Sequence, residues 1–108
     1  MTWSIGFYDQ SVEDGILGLA SGFVARFLRY AERMQVFGAD LGMPHTRAMG
    51  DGLFELRIKS AKGIARVFYC TGVGRRIVFL HHFVKKAEKT PTAELKMARK
   101  RMKELGHG

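Results

Sequence analysis

Apolar and polar residues alternate at the start of the chain. Trp3, Ile5 and Phe7 interleave with Ser4, Gly6 and Tyr8, the period of a half-buried strand. The period then lengthens: Asp9 or Ser11 caps a short helix through Ile16, Leu17 and Leu19 that ends near Ser21-Gly22. Phe23, Val24, Phe27, Leu28, Ala31 and Met34 recur at helical spacing in a second helix, with Arg26, Arg29 and Arg33 on its opposite face. Gly42 and Pro44 break the pattern, so Gly38–Pro44 reads as a loop. From Leu53 the period is two, with Phe54, Leu56 and Ile58 facing one way and Glu55, Arg57 and Lys59 the other. Ser60-Ala61-Lys62-Gly63 is a tight hairpin connection, Ile64–Thr71 the next strand, Thr71–Gly74 the next turn and Arg75–Val84 the third strand. In that strand Ile77-Val78-Phe79-Leu80 is apolar on both sides and requires cover on both. Thr90 as N-cap and Pro91 at the first helical position open a last helix, whose stripe is Leu95, Ala98, Met102 and Leu105 and which Gly106 ends. The predicted fold is α+β, one domain over residues 1–108: an N-terminal strand and two helices, a three-stranded antiparallel meander and a C-terminal helix.

Composition changes this picture little, but charge changes it a good deal. Apolar residues at 46% and charged residues at 26% are ordinary for a globular chain and argue against disorder. The one cysteine, Cys70, has no partner for an internal disulfide, and its place in Val67-Phe68-Tyr69-Cys70 reads as packing. Met1-Thr2-Trp3-Ser4 lacks the pattern of a signal peptide, and Gly15–Ala25 is too short and glycine-rich to span a bilayer, so a cytoplasmic protein without a membrane partner is expected. The net charge of +8 is lopsided: residues 1–56 carry four basic and seven acidic side chains, residues 57–108 fourteen basic and three acidic. A second half at +11 points to a polyanionic partner.

Pairing across the Ser60–Gly63 turn sets Arg57 directly opposite Arg66, with Lys59 diagonal to both. Like charges so placed repel, and two readings account for them. Either an anion such as phosphate sits between them, or Glu55 or another acid neutralises the pair. On the first reading, removing Arg66 costs activity and leaves the fold intact or slightly more stable. Leu80-His81-His82-Phe83-Val84-Lys85-Lys86 puts one histidine on each sheet face, either structural or a proton shuttle. Symmetric pairing across Thr71–Gly74 brings His81 to the arginine face, whereas a one-residue bulge brings His82 and Lys86 there. Lys62, Lys85, Lys89, Lys96, Arg99, Lys100, Arg101 and Lys103 extend the basic field, either as a solvated surface or as contacts to a long polyanion. No ligand set for a metal and no phosphate-binding glycine motif is present in the pattern, so no cofactor is expected.

Gly52-Leu53-Phe54-Glu55-Leu56-Arg57, Ala65-Arg66-Val67-Phe68-Tyr69, the Leu80–Lys86 run with Glu88-Lys89-Thr90-Pro91, and Glu94 in the closing helix resemble the RelE/ParE toxin superfamily, in particular its HigB-like, phage-type branch. The resemblance extends over essentially the whole chain. It implies a ribosome-dependent mRNA endonuclease of a type II toxin–antitoxin system, cutting in the A site by 2′-OH attack on the adjacent phosphate. It also implies a cognate helix-turn-helix antitoxin as partner. Carried over by position, Arg57 and Lys59 match basic residues of the second strand, Arg66 the arginine at the scissile phosphate, and Lys86 a basic residue ending the last strand. Some relatives carry a tyrosine where Thr90 and Thr92 stand, and others a C-terminal histidine, for which His107 is the counterpart in a tail position. The general base is thus left open. Two other functions fit the same resemblance: a ParE-like inhibitor of DNA gyrase, and a degenerate phage protein keeping only an antitoxin-binding surface.

Overall fold

A computed structural model describes residues 2–72, 74–85 and 91–106. The chain runs β1 (Ser4–Phe7), α1 (Gln10–Leu17), α2 (Ser21–Phe37), β2 (Thr46–Gly50), β3 (Leu53–Ser60), β4 (Gly63–Gly72), β5 (Arg76–Lys85) and α3 (Thr92–Glu104). The α+β expectation holds, but the sheet has five strands in the order β1-β5-β4-β3-β2, and not the three of a meander. β1 joins parallel to β5 through Ser4–Arg76 to Phe7–Phe79, and β2 joins antiparallel to β3 through Thr46–Leu56 and its neighbours. β2 has no apolar alternation because, as an edge strand, it buries only Thr46 fully.

Asp9 caps α1 by accepting a hydrogen bond from Val12 N–H at 2.9 Å. The helix stops at Leu17, earlier than expected, and Ser21-Gly22 open α2 instead of closing α1. Phe23, Phe27 and Met34 of α2 and Val12 and Ile16 of α1 pack on one sheet face, against Leu56, Val67, Tyr69 and Phe79. Ala98 and Met102 of α3 cover the other face over Leu53, Phe68, Val78 and Leu80. This two-sided cover is why β5 is apolar on both faces. Pro91 is the residue before α3, in extended conformation, and the helix begins at Thr92. The expected Thr90 cap lies outside the described residues.

The Ser60–Gly63 hairpin has the expected register, with Arg57 opposite Arg66. The second hairpin does not: it closes on Gly72 and Arg76, and a bulge leaves Leu80 unpaired between Phe68–His81 and Tyr69–Phe79. The two displacements cancel in parity, so His81 stays on the face of Arg57 and Arg66. Bulging lets Leu80 and His81 both serve the α3 side. The Leu80 carbonyl accepts a hydrogen bond from Arg101 Nη1 at 2.7 Å, so a bulge that disrupts the ladder leaves no orphan acceptor there.

Candidate functional site

The sheet face under α3 gathers Glu55, Arg66, His81 and Glu94. Glu55 does not sit opposite Arg66 but one pair along, since its cross-strand neighbour is Phe68. A long guanidinium spans that diagonal. Arg66 Nη1 lies 2.9 Å from Glu55 Oε1, with the two side chains only 3% and 0% exposed. Of the two readings of the arginine pair, the acid neutralises Arg66. The expectation that Arg66 can be removed at no cost to the fold is corrected accordingly, because a carboxylate buried with its cation loses that cation. His81 Nε2 lies 3.1 Å from Glu94 Oε1, and the His81 ring lies against Phe83 with centroids 6.3 Å apart. His82 faces the opposite way, toward α1, where a Cβ on Gly15 would come within 2.4 Å of its Cε1. Burial, and then the neighbouring His81, lower the His82 pKa from 6.5, which favours the neutral ring.

The register separates His81 from Arg57. They lie two strands apart and two residues out of step, a backbone separation of roughly 12 Å at ordinary strand spacing. The sheet brings Arg57 together with Arg66, and brings neither histidine to Arg57.

A different arrangement occupies the sheet edge. β2 ends its pairing at Thr46–Leu56, and His45 O accepts one more hydrogen bond from Arg57 N–H at 2.8 Å. Beyond it, among the described residues, β3 has no strand on its outer side. There a cleft of about 170 Å³ is lined by Arg26 and Tyr30 of α2, Pro44 and His45 of the loop, and Arg57 and Lys59 of β3. Arg26 and Tyr30 reach it together because four residues apart on a helix share one face. Tyr30 Oη lies 3.1 Å from His45 Nδ1, and the two rings lie 5.1 Å apart. Among the described residues Arg26, Arg57 and Lys59 are in no ion pair. Among the same residues, Arg57 Nε is buried with no hydrogen-bond partner. Arg26, Tyr30 and His45 were not singled out as a site from sequence. The i, i+4 spacing of the first two was legible, whereas His45 carries no signal of its own.

The remaining basic residues divide. Lys62, Lys96, Lys100 and Lys103 are exposed. Arg99 instead ties α3 to β2, donating to Met49 O at 2.8 Å and to Gly50 O at 3.4 Å. Arg101 stands over the Tyr8 ring at 5.0 Å, and Tyr8 Oη donates to Glu104. Lys86 and Lys89, and the side chain of Lys85, lie outside the described residues, as does His107. Cys70 is 1% exposed and burial pushes its thiol up to about 11, in keeping with packing. Among the described residues no three His, Cys, Asp or Glu side chains are grouped to hold a metal, and no helix is long and apolar enough to cross a membrane.

A curled α+β sheet with helices on both faces and a basic edge is an architecture that many functions share. Comparison with family profiles narrows it, since the profile of the phage-derived Gp49-like proteins (DUF891) matches residues 15–103. The chain belongs to this family, a RelE/ParE-like family associated with the toxins of toxin–antitoxin systems. No curated protein matches it significantly.

Proposed function

We propose that this chain is the toxin of a type II toxin–antitoxin pair of the HigB-like branch, and that it cuts mRNA in the ribosomal A site under restraint by a helix-turn-helix antitoxin. The observation that carries this reading is the edge cleft, where Arg26, Arg57 and Lys59 converge with no carboxylate among the described lining residues. Cations held together without a counter-charge have a strong demand for an anion, and a guanidinium fork suits a phosphate. A phosphodiester seated there, attacked by its neighbouring 2′-oxygen, develops negative charge that Arg57 and Lys59 stabilise without rearranging. Arg66 acts one step back, holding Glu55 and with it the strand that carries Arg57 and Lys59. The exposed Lys62, Lys96, Lys100 and Lys103, within a half-chain of +11, fit the phosphates of ribosomal RNA. A gyrase inhibitor has no need of a phosphate cleft, which places that reading second.

Expression of the chain with mapping of mRNA 5′ ends tests the proposal. Cuts inside translated codons, with naked RNA left whole, are the expected result. Growth arrest with intact mRNA would transfer the chain to the gyrase-inhibitor class. Unimpaired growth would leave only the antitoxin-binding role.

A further inference from the structure

Neither histidine of β5 is near the unpaired cations, so the reaction proposed above still lacks a proton acceptor. We propose that the edge cleft receives the scissile phosphodiester and that His45, held by Tyr30, takes the proton of the attacking 2′-hydroxyl. The inference rests on the nuclease reading.

Three observations converge on it. His45 adjoins Arg57 directly, backbone to backbone, through the 2.8 Å hydrogen bond from Arg57 N–H. Tyr30 engages Nδ1 at 3.1 Å, which leaves Nε2 as the ring nitrogen for a ligand and fixes the ring's orientation. The groups facing the cleft are Arg26 and Tyr30 from α2 and Arg57 and Lys59 from β3, so the charged side chains around His45 in the cleft are all cationic. Strand alternation also turns the Lys59 N–H to the same outer edge as that of Arg57, adding a backbone donor. A purely protective role for these residues, basic side chains guarding an exposed strand edge, explains Lys59. It does not explain the Tyr30–His45 pair.

The step balances as follows. The 2′-O–H bond breaks and its proton passes to His45 Nε2. The 2′-oxygen bonds to phosphorus as the P–O5′ bond breaks. The departing 5′-oxygen takes a proton from water, and the imidazolium returns its own to the hydroxide so formed. The products are a 2′,3′-cyclic phosphate and a 5′-hydroxyl.

The test uses the full-length protein. In NMR titration with inorganic phosphate, the His45 imidazole resonances are expected to move, with the apparent affinity weakened about tenfold by Arg26→Ala, the loss of one charge-assisted contact. On programmed ribosomes, His45→Ala is expected to lose about 10²–10⁴ in kcat, the usual contribution of a general base, and to regain part of it with added imidazole. Tyr30→Phe, which keeps the ring packing, is expected to fall between wild type and His45→Ala. A His45→Ala protein that folds, as judged by its NMR spectrum, and cuts as fast as wild type would overturn this inference and leave the nuclease reading standing. So would phosphate binding that leaves the His45 resonances unmoved. A wild-type protein that arrests growth without cutting any mRNA would overturn the nuclease reading itself, and the proton-transfer role with it.

Discussion

The face beneath α3 and the edge of β3 hold comparable numbers of cations and treat them oppositely. Under α3 four of the cations have partners within the fold: Arg66 has Glu55, His81 has Glu94, and Arg99 and Arg101 donate to the carbonyls of Met49, Gly50 and Leu80. At the edge, Arg26, Arg57 and Lys59 meet in one cleft without an acid. Two arginines directly opposite on adjacent strands thus have different occupations. Arg66, 2% exposed, is part of the interior, and Arg57 lines the edge cleft. Charge density alone does not mark a site; charge left without an internal counter-charge does.

The largest test of that contrast is stability. Arg66→Ala is expected to destabilise the fold by about 3–5 kcal/mol, because it takes the paired cation from a fully buried carboxylate. Arg57→Ala is expected to change stability by less than about 1 kcal/mol, within the range of a cross-strand repulsion relieved. Denaturant melts of the two proteins decide it, and equal losses would break the distinction. Glu55→Gln combined with Arg66→Met should lose less than the two single changes added, as coupled neighbours do.

A smaller effect sharpens the assignment of His82 to the helix side. Gly15→Ala places a methyl where Cε1 of His82 lies 2.4 Å away. The expected cost is about 1–3 kcal/mol of overpacking, against the roughly 1 kcal/mol that alanine gains over glycine in a helix. With His82→Ala in the same chain, only the gain should remain. Thermal melts of the single and double variants measure both.

The smallest expected effect is a pH dependence. Burial, then His81, lowers the folded-state pKa of His82, with Glu94 opposing. In the unfolded chain the group returns to its ordinary value near 6.5. Between these two values the unfolded chain binds more protons, so stability rises with pH across that window. Stability is therefore expected to fall as the pH drops through 6.5 toward the lowered value. His82→Gln should flatten the profile there relative to wild type, and identical profiles would place the histidine in contact with water.

Local pattern made much of this legible. The Ser60–Gly63 turn and the alternation on either side of it determine the Arg57–Arg66 pairing, because a two-residue hairpin leaves no freedom in register. Glu55 was visible as a possible counter-charge, but only packing shows that Arg66, and not Arg57, takes it. β2 escaped notice because five residues at an edge need no apolar alternation. β1 was recognised as a strand, yet its parallel seat beside β5 depends on contacts more than 70 residues apart, beyond any local periodicity. The register of β5 stayed open between symmetric pairing and a one-residue bulge, since neither a loop's closing pair nor a bulged residue is written in hydrophobic spacing; the strand closes on Gly72 and Arg76 and bulges at Leu80. His45 joins Arg26 and Arg57 only through the tertiary course of the chain around the sheet edge.

The seat of β1 has a consequence for synthesis. Ser4 pairs with Arg76 and Phe7 with Phe79, and α1 and α2 pack on a face that includes Ile77 and Phe79. A chain emerging from N- to C-terminus therefore presents its first strand and both amphipathic helices long before the surface they cover exists. Closing so distant a pair is slow and depends on all of the chain between the two strands. Translation must thus pass Lys85 before β5 can complete the sheet, and a nascent chain halted anywhere short of it keeps its apolar helix faces exposed to chaperones and proteases.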